Sequence, residues 1–301
     1  MIDLVGIASL VAVERCGTVG GAAVELGYTP SAVSQQIKRL ERQVGATLLE
    51  RAGRGVVLTA AGRRLVDEGR VLSDEVERLR SRLQGDGGRP SGLLRLAAFA
   101  TAVRGIVPPL LDELAQRAPD LDVVVHEVDP WDAVAEVAAG RTDVAIVHRW
   151  EGMQFHVPPS LRGEPVLTDI ADLLVHRDDP LASRASVAPG DLLDHVWVST
   201  PEGTICHEWF GHMFRDTPRT PRVAYRCVEF ASQVELVAHA KAVALVPRLG
   251  RGTLPESVVA VPVHDPEPTR RVDVHWRASM AAAPAVAAVL AALRRVTTTV
   301  T

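Results

Sequence analysis

The chain has 301 residues, with 33 Lys or Arg against 37 Asp or Glu for a formal charge of −4, and a mean hydropathy of +0.10. That length fits two or three compact units rather than one small domain. Three cysteines, Cys16, Cys206 and Cys227, give no disulfide framework, no apolar run reaches the ~18 residues of a membrane span, and the opening MIDL lacks the basic-then-apolar pattern of a signal peptide, so a cytoplasmic protein without a membrane partner is expected.

In chain order, residues 18–42 read as two short helices joined at Gly27, which can take the left-handed conformation that closes the first; Thr29 can cap the second and Pro30 falls at its first position. Val33, Ile37, Leu40 and Val44 recur at steps of four, three and four and form a core stripe, while Ser31, Ser34, Gln35, Lys38 and Arg42 project from the other side. This is a helix-turn-helix pattern, and that outer face suits the major groove of double-stranded DNA. A charged outer face is more often merely solvated. Here, however, residues 29–64 hold seven Lys or Arg against two acids, while residues 91–301 hold 20 basic and 26 acidic side chains: a basic module joined to an acidic remainder.

Residues 48–59 alternate apolar runs around Gly53, Arg54 and Gly55 and predict a two-stranded hairpin whose tip, around Arg54, is a wing. Thr59 then caps a long helix to about residue 84. Leu58, Leu65, Leu72 and Leu79 lie seven apart, with Gly62, Gly69, Val76 and Leu83 at the alternate seam positions, a seam that predicts a homodimer through Leu65, Leu72, Val76, Leu79 and Leu83. Packing of that stripe on its own chain is the alternative.

The run TPSAVSQQIKRLE from Thr29 to Glu41, followed by GATLLER from Gly45 to Arg51 and LTAAG from Leu58 to Gly62, resembles the winged helix-turn-helix and linker helix of LysR-type transcriptional regulators. The resemblance implies that Ser31, Ser34, Gln35 and Lys38 lie at the groove, that Arg51 and Arg54 sit near phosphate or minor groove, and that the dimer often pairs into a homotetramer.

Residues 85–92, GDGGRPSG, read as a hinge. Beyond it, strand-like runs at 93–98, 121–128 and 144–147 alternate with helical patterns at 103–117 and 131–139, predicting βαβ units and a mostly parallel sheet. A second set covers 170–176, 196–199, a helix from about Thr204, and 242–247; a late strand at 271–276 and an alanine-rich helix at 284–296 follow. In the family, that last segment crosses back to the first lobe. The expected class is therefore α/β: a winged helix-turn-helix domain (1–58), a linker helix (59–84), a hinge (85–92), and a two-lobed domain like periplasmic solute-binding proteins, lobe I being 93–167 plus 268–301 and lobe II 168–267.

In such a domain the ligand sits where strand ends meet helix N-termini, whose free N–H groups favour an anion. Thr101 opens the first such helix and matches a family position that commonly holds an effector-contacting Ser or Thr; Ser199, Thr200, Gly203 and Thr204 form the corresponding turn of the second lobe. These hydroxyls predict a cleft for a small carboxylate or other anion, although helix capping alone also explains them. His148, Arg149 and Trp150 end a strand and can face the same cleft, with a solvent-facing arginine and a structural tryptophan as the alternative. Where relatives place glycines, Ala240 and Ala242 stand before a strand, so that turn is expected to avoid positive φ. Cys206 opens a helix, but no second cysteine comes before Cys227, which makes it a buried, inert thiol. No nucleophile elbow, metal-ligand spacing or cofactor motif is found, so neither catalysis nor a cofactor is expected. A cytoplasmic solute-binding or sensor protein would explain the two lobes but not the first 85 residues.

Overall fold

The computed structural model describes residues 3–53, 55–85 and 88–297, with the side chains of residue 74 and residues 80–85 outside that description, and the chain divides into two compact units, residues 1–80 and 81–301.

The first unit opens with α1 (Leu4–Cys16), α2 (Val19–Leu26) and α3 (Pro30–Val44), a hairpin of β1 (Leu49–Ala52) and β2 (Gly55–Leu58), and the long α4 (Ala60–Gly85). Helix α1 was not expected: its run LVGIASLVAV has no polar face to mark a helical period, because the packed helices bury Ile7, Leu10 and Val13 on one side and Gly6, Ser9 and Ala12 on the others. Thr18 caps α2, Gly27 closes it at φ 68°, and the Thr29 hydroxyl accepts from the Ala32 N–H at the head of α3. Val33, Ile37 and Leu40 join Leu10, Leu48, Leu58 and Val66 in one core.

Helix α4 corrects the expected seam. A Cβ on Gly62 would stand 2.2 Å from the Leu48 carbonyl oxygen and one on Gly69 would stand 2.4 Å from Ile7 Cγ2, so both glycines admit their own unit's core instead of a partner backbone. Leu65 also packs against that core, whereas Val71, Leu72 and Leu79 are 62%, 41% and 52% exposed. The Leu83 side chain lies outside the described residues.

The second unit contains β3 (Gly92–Ala98), α5 (Ala100–Gly105), α6 (Val107–Arg117), β4 (Leu121–Glu127), α7 (Pro130–Ala138), β5 (Val144–Trp150), β6 (Leu161–His176), β7 (Trp197–Ser199), α8 (Ile205–Met213), β8 (Val223–Arg226), α9 (Phe230–Ala240), β9 (Ala244–Pro247), β10 (Val258–Val261), β11 (Thr269–Arg277) and α10 (Pro284–Thr297). One helix was expected over 103–117; it breaks at Ile106 (φ −114°), ahead of Pro108 and Pro109, which have no N–H to continue α5.

The sheet order is β10-β6-β11-β5-β3-β4, with β9 also on β6. Strands β4, β3 and β5 are parallel, and β11 joins β5 and β6 antiparallel. The 16-residue β6 carries the architecture: its first half pairs with β11, and residues 171–176 pair with β9 and β10. The lobes thus share a strand that runs unbroken through residue 168. Their cores are separate, one around Leu96, Ile106, Ile146 and Val274, the other around Trp197, Trp209, Phe210 and Phe214. The turn before β9 corrects another expectation, because Lys241 adopts φ 51°, the left-handed conformation that the two alanines argued against.

Gly62 offers a direct check. Alanine at an open helical position gains up to about 1 kcal/mol over glycine, but a methyl driven at the Leu48 carbonyl should instead cost about 1–3 kcal/mol as overpacking. Chemical denaturation of Gly62→Ala reads the sign, and a gain in stability would show that this face of α4 is free.

Candidate effector pocket and DNA-facing surface

On α3, Ser31, Gln35, Lys38 and Arg42 are exposed and Ser34 is half-buried, all on the side away from Val33, Ile37 and Leu40. The Ser31 hydroxyl lies 3.0 Å from that of Thr29, so it belongs to the cap as well as to the surface. Glu41, one of the two acids of this basic stretch, is turned inward, its Oε1 accepting from the backbone N–H groups of Leu48 (2.8 Å) and Leu49 (3.4 Å). The carboxylate that could have opposed the cationic face therefore fixes the hairpin to α3. Arg51 is exposed on β1, and Arg54 lies outside the described residues.

The residues expected at the effector cleft separate into two groups. Along β5 successive side chains alternate faces. His148 and Trp150 point to one side, where His148 packs edge-on to Phe99 (4.5 Å between centroids) and Trp150 lies against Trp209 (4.8 Å). Arg149 points to the other, with its Nε donating to Asp273 at 2.9 Å, so it is no part of the cleft: the one-residue step along a strand separates it from its neighbours. Ser199 and Thr200 line a pocket of about 20 Å³ together with Trp150, Cys206, Phe210 and Gln233, room for about one water. Thr204 caps α8 by accepting from the His207 N–H and lies 2.8 Å from the Thr200 hydroxyl.

Thr101 is 1% exposed, and its hydroxyl accepts from a residue that the pattern reading had left out. Arg270, at 0% exposure, donates through Nη2 to Thr101 at 2.7 Å and through Nε and Nη2 to Asp169 Oδ2 at 2.9 and 2.7 Å. Its guanidinium carbon lies 5.1 Å from the Phe99 ring and 5.5 Å from the Trp150 ring, a cation–π arrangement on both. Arg270 Nη1, Trp209 Nε1 and His148 Nδ1 are buried without a hydrogen-bond partner. The signal for Arg270 was legible: on a period of two it falls in phase with Val272, Val274 and Trp276, a charge in a core register. The expected strand began one residue too late to show it.

Asp129 was missed too. Its Oδ1 accepts from Trp131 N–H at the head of α7, and its Oδ2 lies 3.4 Å from Ile205 N–H at the head of α8, so one carboxylate joins the two lobes. Burial raises its pKa above the ordinary value, with the Asp132 charge in the same direction and those two N–H groups partly countering it. Burial likewise pushes the Cys206 thiol up to about 11, against the nearby Arg270 charge.

Two regions of the chain match described families: residues 4–63 match the bacterial regulatory helix-turn-helix protein of the lysR family, and residues 87–298 match the LysR substrate binding domain. The chain belongs to the LysR family of transcriptional regulators. It is 26% identical over 247 residues to the hydrogen peroxide-inducible genes activator of Pectobacterium carotovorum, covering 81% of this chain and 80% of that protein. It is 27% identical over 287 residues to the probable HTH-type transcriptional regulator LrrA of Synechococcus elongatus, covering 95% and 94%. The fold resembles that of full-length OxyR from Pseudomonas aeruginosa (TM-score 0.72, 20% identity, 98% and 95% covered) and of CbnR, a LysR family transcriptional regulator (0.55, 21%, 97% and 100%). This LysR-type regulator thus pairs a DNA-binding helix-turn-helix with an effector-binding domain, which disfavours a solute-binding protein without DNA as its partner.

His148 ties this pocket to pH. Burial holds its pKa well below the ordinary 6.5, with the Arg270 charge acting in the same direction. Once the pH falls below that value, the unfolded chain takes up a proton that the folded chain refuses, so stability drops with pH by up to about 1.4 kcal/mol per unit for such a histidine. Urea unfolding from about pH 7 to 5 should show this slope, flattened in His148→Phe; an unchanged slope would mean that His148 protonates in the folded protein.

Proposed function

We propose that this LysR-type regulator reads operator DNA through Ser31, Ser34, Gln35, Lys38 and Arg42 of α3, with Arg51 and Arg54 of the hairpin near the backbone, and that a small anion entering between the lobes alters that binding. The exposed cationic face of α3 carries the first part. The second rests on Arg270, a buried guanidinium with Nη1 unpaired, held by Thr101 and covered by Trp150, which lines one pocket with Ser199 and Thr200. A carboxylate on the effector would satisfy Arg270 Nη1 and compete with Asp129 for the head of α8. We also propose a cytoplasmic homodimer joined through the exposed Leu72 and Leu79 of α4, with Val76 and Leu83 along the same stripe, pairing further into a tetramer.

Neither catalysis nor a cofactor is part of this reading. Some relatives are named for hydrogen peroxide, but a thiol pushed up to about 11 holds almost no thiolate at neutral pH, and the thiolate is the reactive form, so Cys206 acts as a packing residue. The effector shifts DNA binding only by preferring one arrangement of the regulator, since equal affinity for two states moves neither.

Gel shifts on the DNA upstream of the chain's own gene test the first part. Gln35→Ala should cost about 1–3 kcal/mol on the specific site and little on random DNA, whereas Lys38→Ala should weaken both and lower the salt slope by about 1. Parental affinity in both variants would overturn the α3 assignment.

For the second part, a thermal-shift screen of small carboxylates should find a ligand that adds about 2.7 kcal/mol at ~100 times its dissociation constant. Thr101→Val is nearly isosteric and deletes the acceptor that orients Arg270. It should weaken that ligand about fivefold or more, the worth of one hydrogen bond, while effector-free DNA affinity stays at the parental value. Equal ligand affinity in the variant would remove the pocket from the assignment.

A further inference from the structure

Arg149, turned away from the effector cleft, belongs to a second pocket on the opposite face of the sheet. Its volume is about 310 Å³, at the lower end of the range for small-molecule sites. The walls come from three adjacent strands and one connection: Arg149 on β5, Asp273 and His275 on β11, Gly163 and Pro165 on β6, and Phe155 with Val157 before β6. This face carries Ala145 and Val147, whereas the effector side carries Val144 and Ile146.

His275 is 7% exposed and lines the pocket, yet neither ring nitrogen makes a well-formed hydrogen bond. Burial, together with the Arg149 charge, lowers the pKa below the ordinary value against the opposing pull of Asp273 and the Arg162 carbonyl, which favours the neutral imidazole. A neutral imidazole carries one N–H and one bare lone pair. Buried groups of this kind are nearly always paired in native proteins. The strand partner of His275 is Gly163, and a Cβ there would come within 2.5 Å of the ring, so a glycine is what allows the imidazole to lie flat against β6.

The other charges on the walls are already balanced. Arg149 pairs with Asp273 at 2.9 Å, and Glu164 pairs with Arg294 at 2.6 Å. Each pair is neutral as a whole, so the walls carry no net charge to draw in an ionic ligand. Phe155, Val157 and Pro165 add apolar surface suited to a flat ring.

We propose that this pocket binds a neutral aryl alcohol of the phenol type, with the ring against Phe155, Val157 and Pro165 and the hydroxyl donating to the lone pair of His275. The proposal is independent of the interlobe reading. The two sites share strands, since β6 carries Asp169 and Gly163 and β11 carries Arg270 and His275.

Fluorine NMR titrations of the full chain with 4-fluorophenol and with fluorobenzene test it. The phenol should bind saturably, and fluorobenzene, which lacks only the hydroxyl, about fivefold more weakly, one neutral hydrogen bond's worth. His275→Phe should bring the phenol to the fluorobenzene value, Val157→Trp should fill the pocket and abolish binding of both, and Thr101→Val should bind both as the parent does. Absence of saturation, equal affinity for the two probes on the parent chain, or loss of binding in Thr101→Val would each overturn the proposal. The two-probe comparison needs no variant to fold.

Discussion

A guanidinium removed wholly from water costs several kcal/mol unless close partners replace its hydration. Arg270 is such a group, and the partners that replace its hydration hold the second unit together. Asp169 of β6 takes two of its N–H groups through Oδ2 and uses Oδ1 to receive the Leu249 N–H from the loop after β9. Thr101 of α5 takes a third, and the faces of Phe99 and Trp150 cover the cation. One charge thus joins the start of the first lobe, both crossing strands and a loop that leaves the second lobe. Three residues on, burial works against the charge of Asp172, but Arg248 and Arg251 hold its pKa below the usual value, so two buried carboxylates of β6 are each held by arginine.

That arrangement explains why Thr101 is placed as it is. It does not cap α5, whose N-cap Phe99 offers no side-chain hydrogen bond; it is an acceptor that fixes the plane of a buried cation. A ligand reaching Arg270 Nη1 would meet a donor whose direction is already set by Asp169 and Thr101, so little orientational entropy remains to be lost on binding.

Much of the winged unit was readable because its signals are local. The Gly27, Thr29 and Pro30 turn and the period of Val33, Ile37 and Leu40 depend on neighbours within one or two turns. Helix α1 was not readable, because a helix covered by partners on most sides shows no amphipathic contrast. Gly62 and Gly69 were legible as close approaches, but their partner was not, since a small residue says that something comes near without saying what. In the second unit the strand and helix runs announced themselves, whereas the contacts that make a site link residues as distant as Thr101 and Arg270 or Asp129 and Ile205. Sequence spacing carries no trace of such pairs. Only the phase of Arg270 among Val272, Val274 and Trp276 could have disclosed one of them.

Asp129 bears most on how the cleft works. The head of α8 is where exposed N–H groups and the helix dipole would attract an anion, and a carboxylate of this chain already stands there. Burial works against its charge, and the N–H groups of Trp131 and Ile205 offset only part of that. An anion arriving from solution competes with a group that is poorly solvated where it is and better solvated once released. Displacement therefore returns part of the cost of binding, and because Asp129 stands on one lobe and Ile205 on the other, the exchange also removes a bond between them. An effector able to bind only after that exchange would differ in affinity between the joined and the parted lobes, which is the condition for shifting a regulator from one state to another.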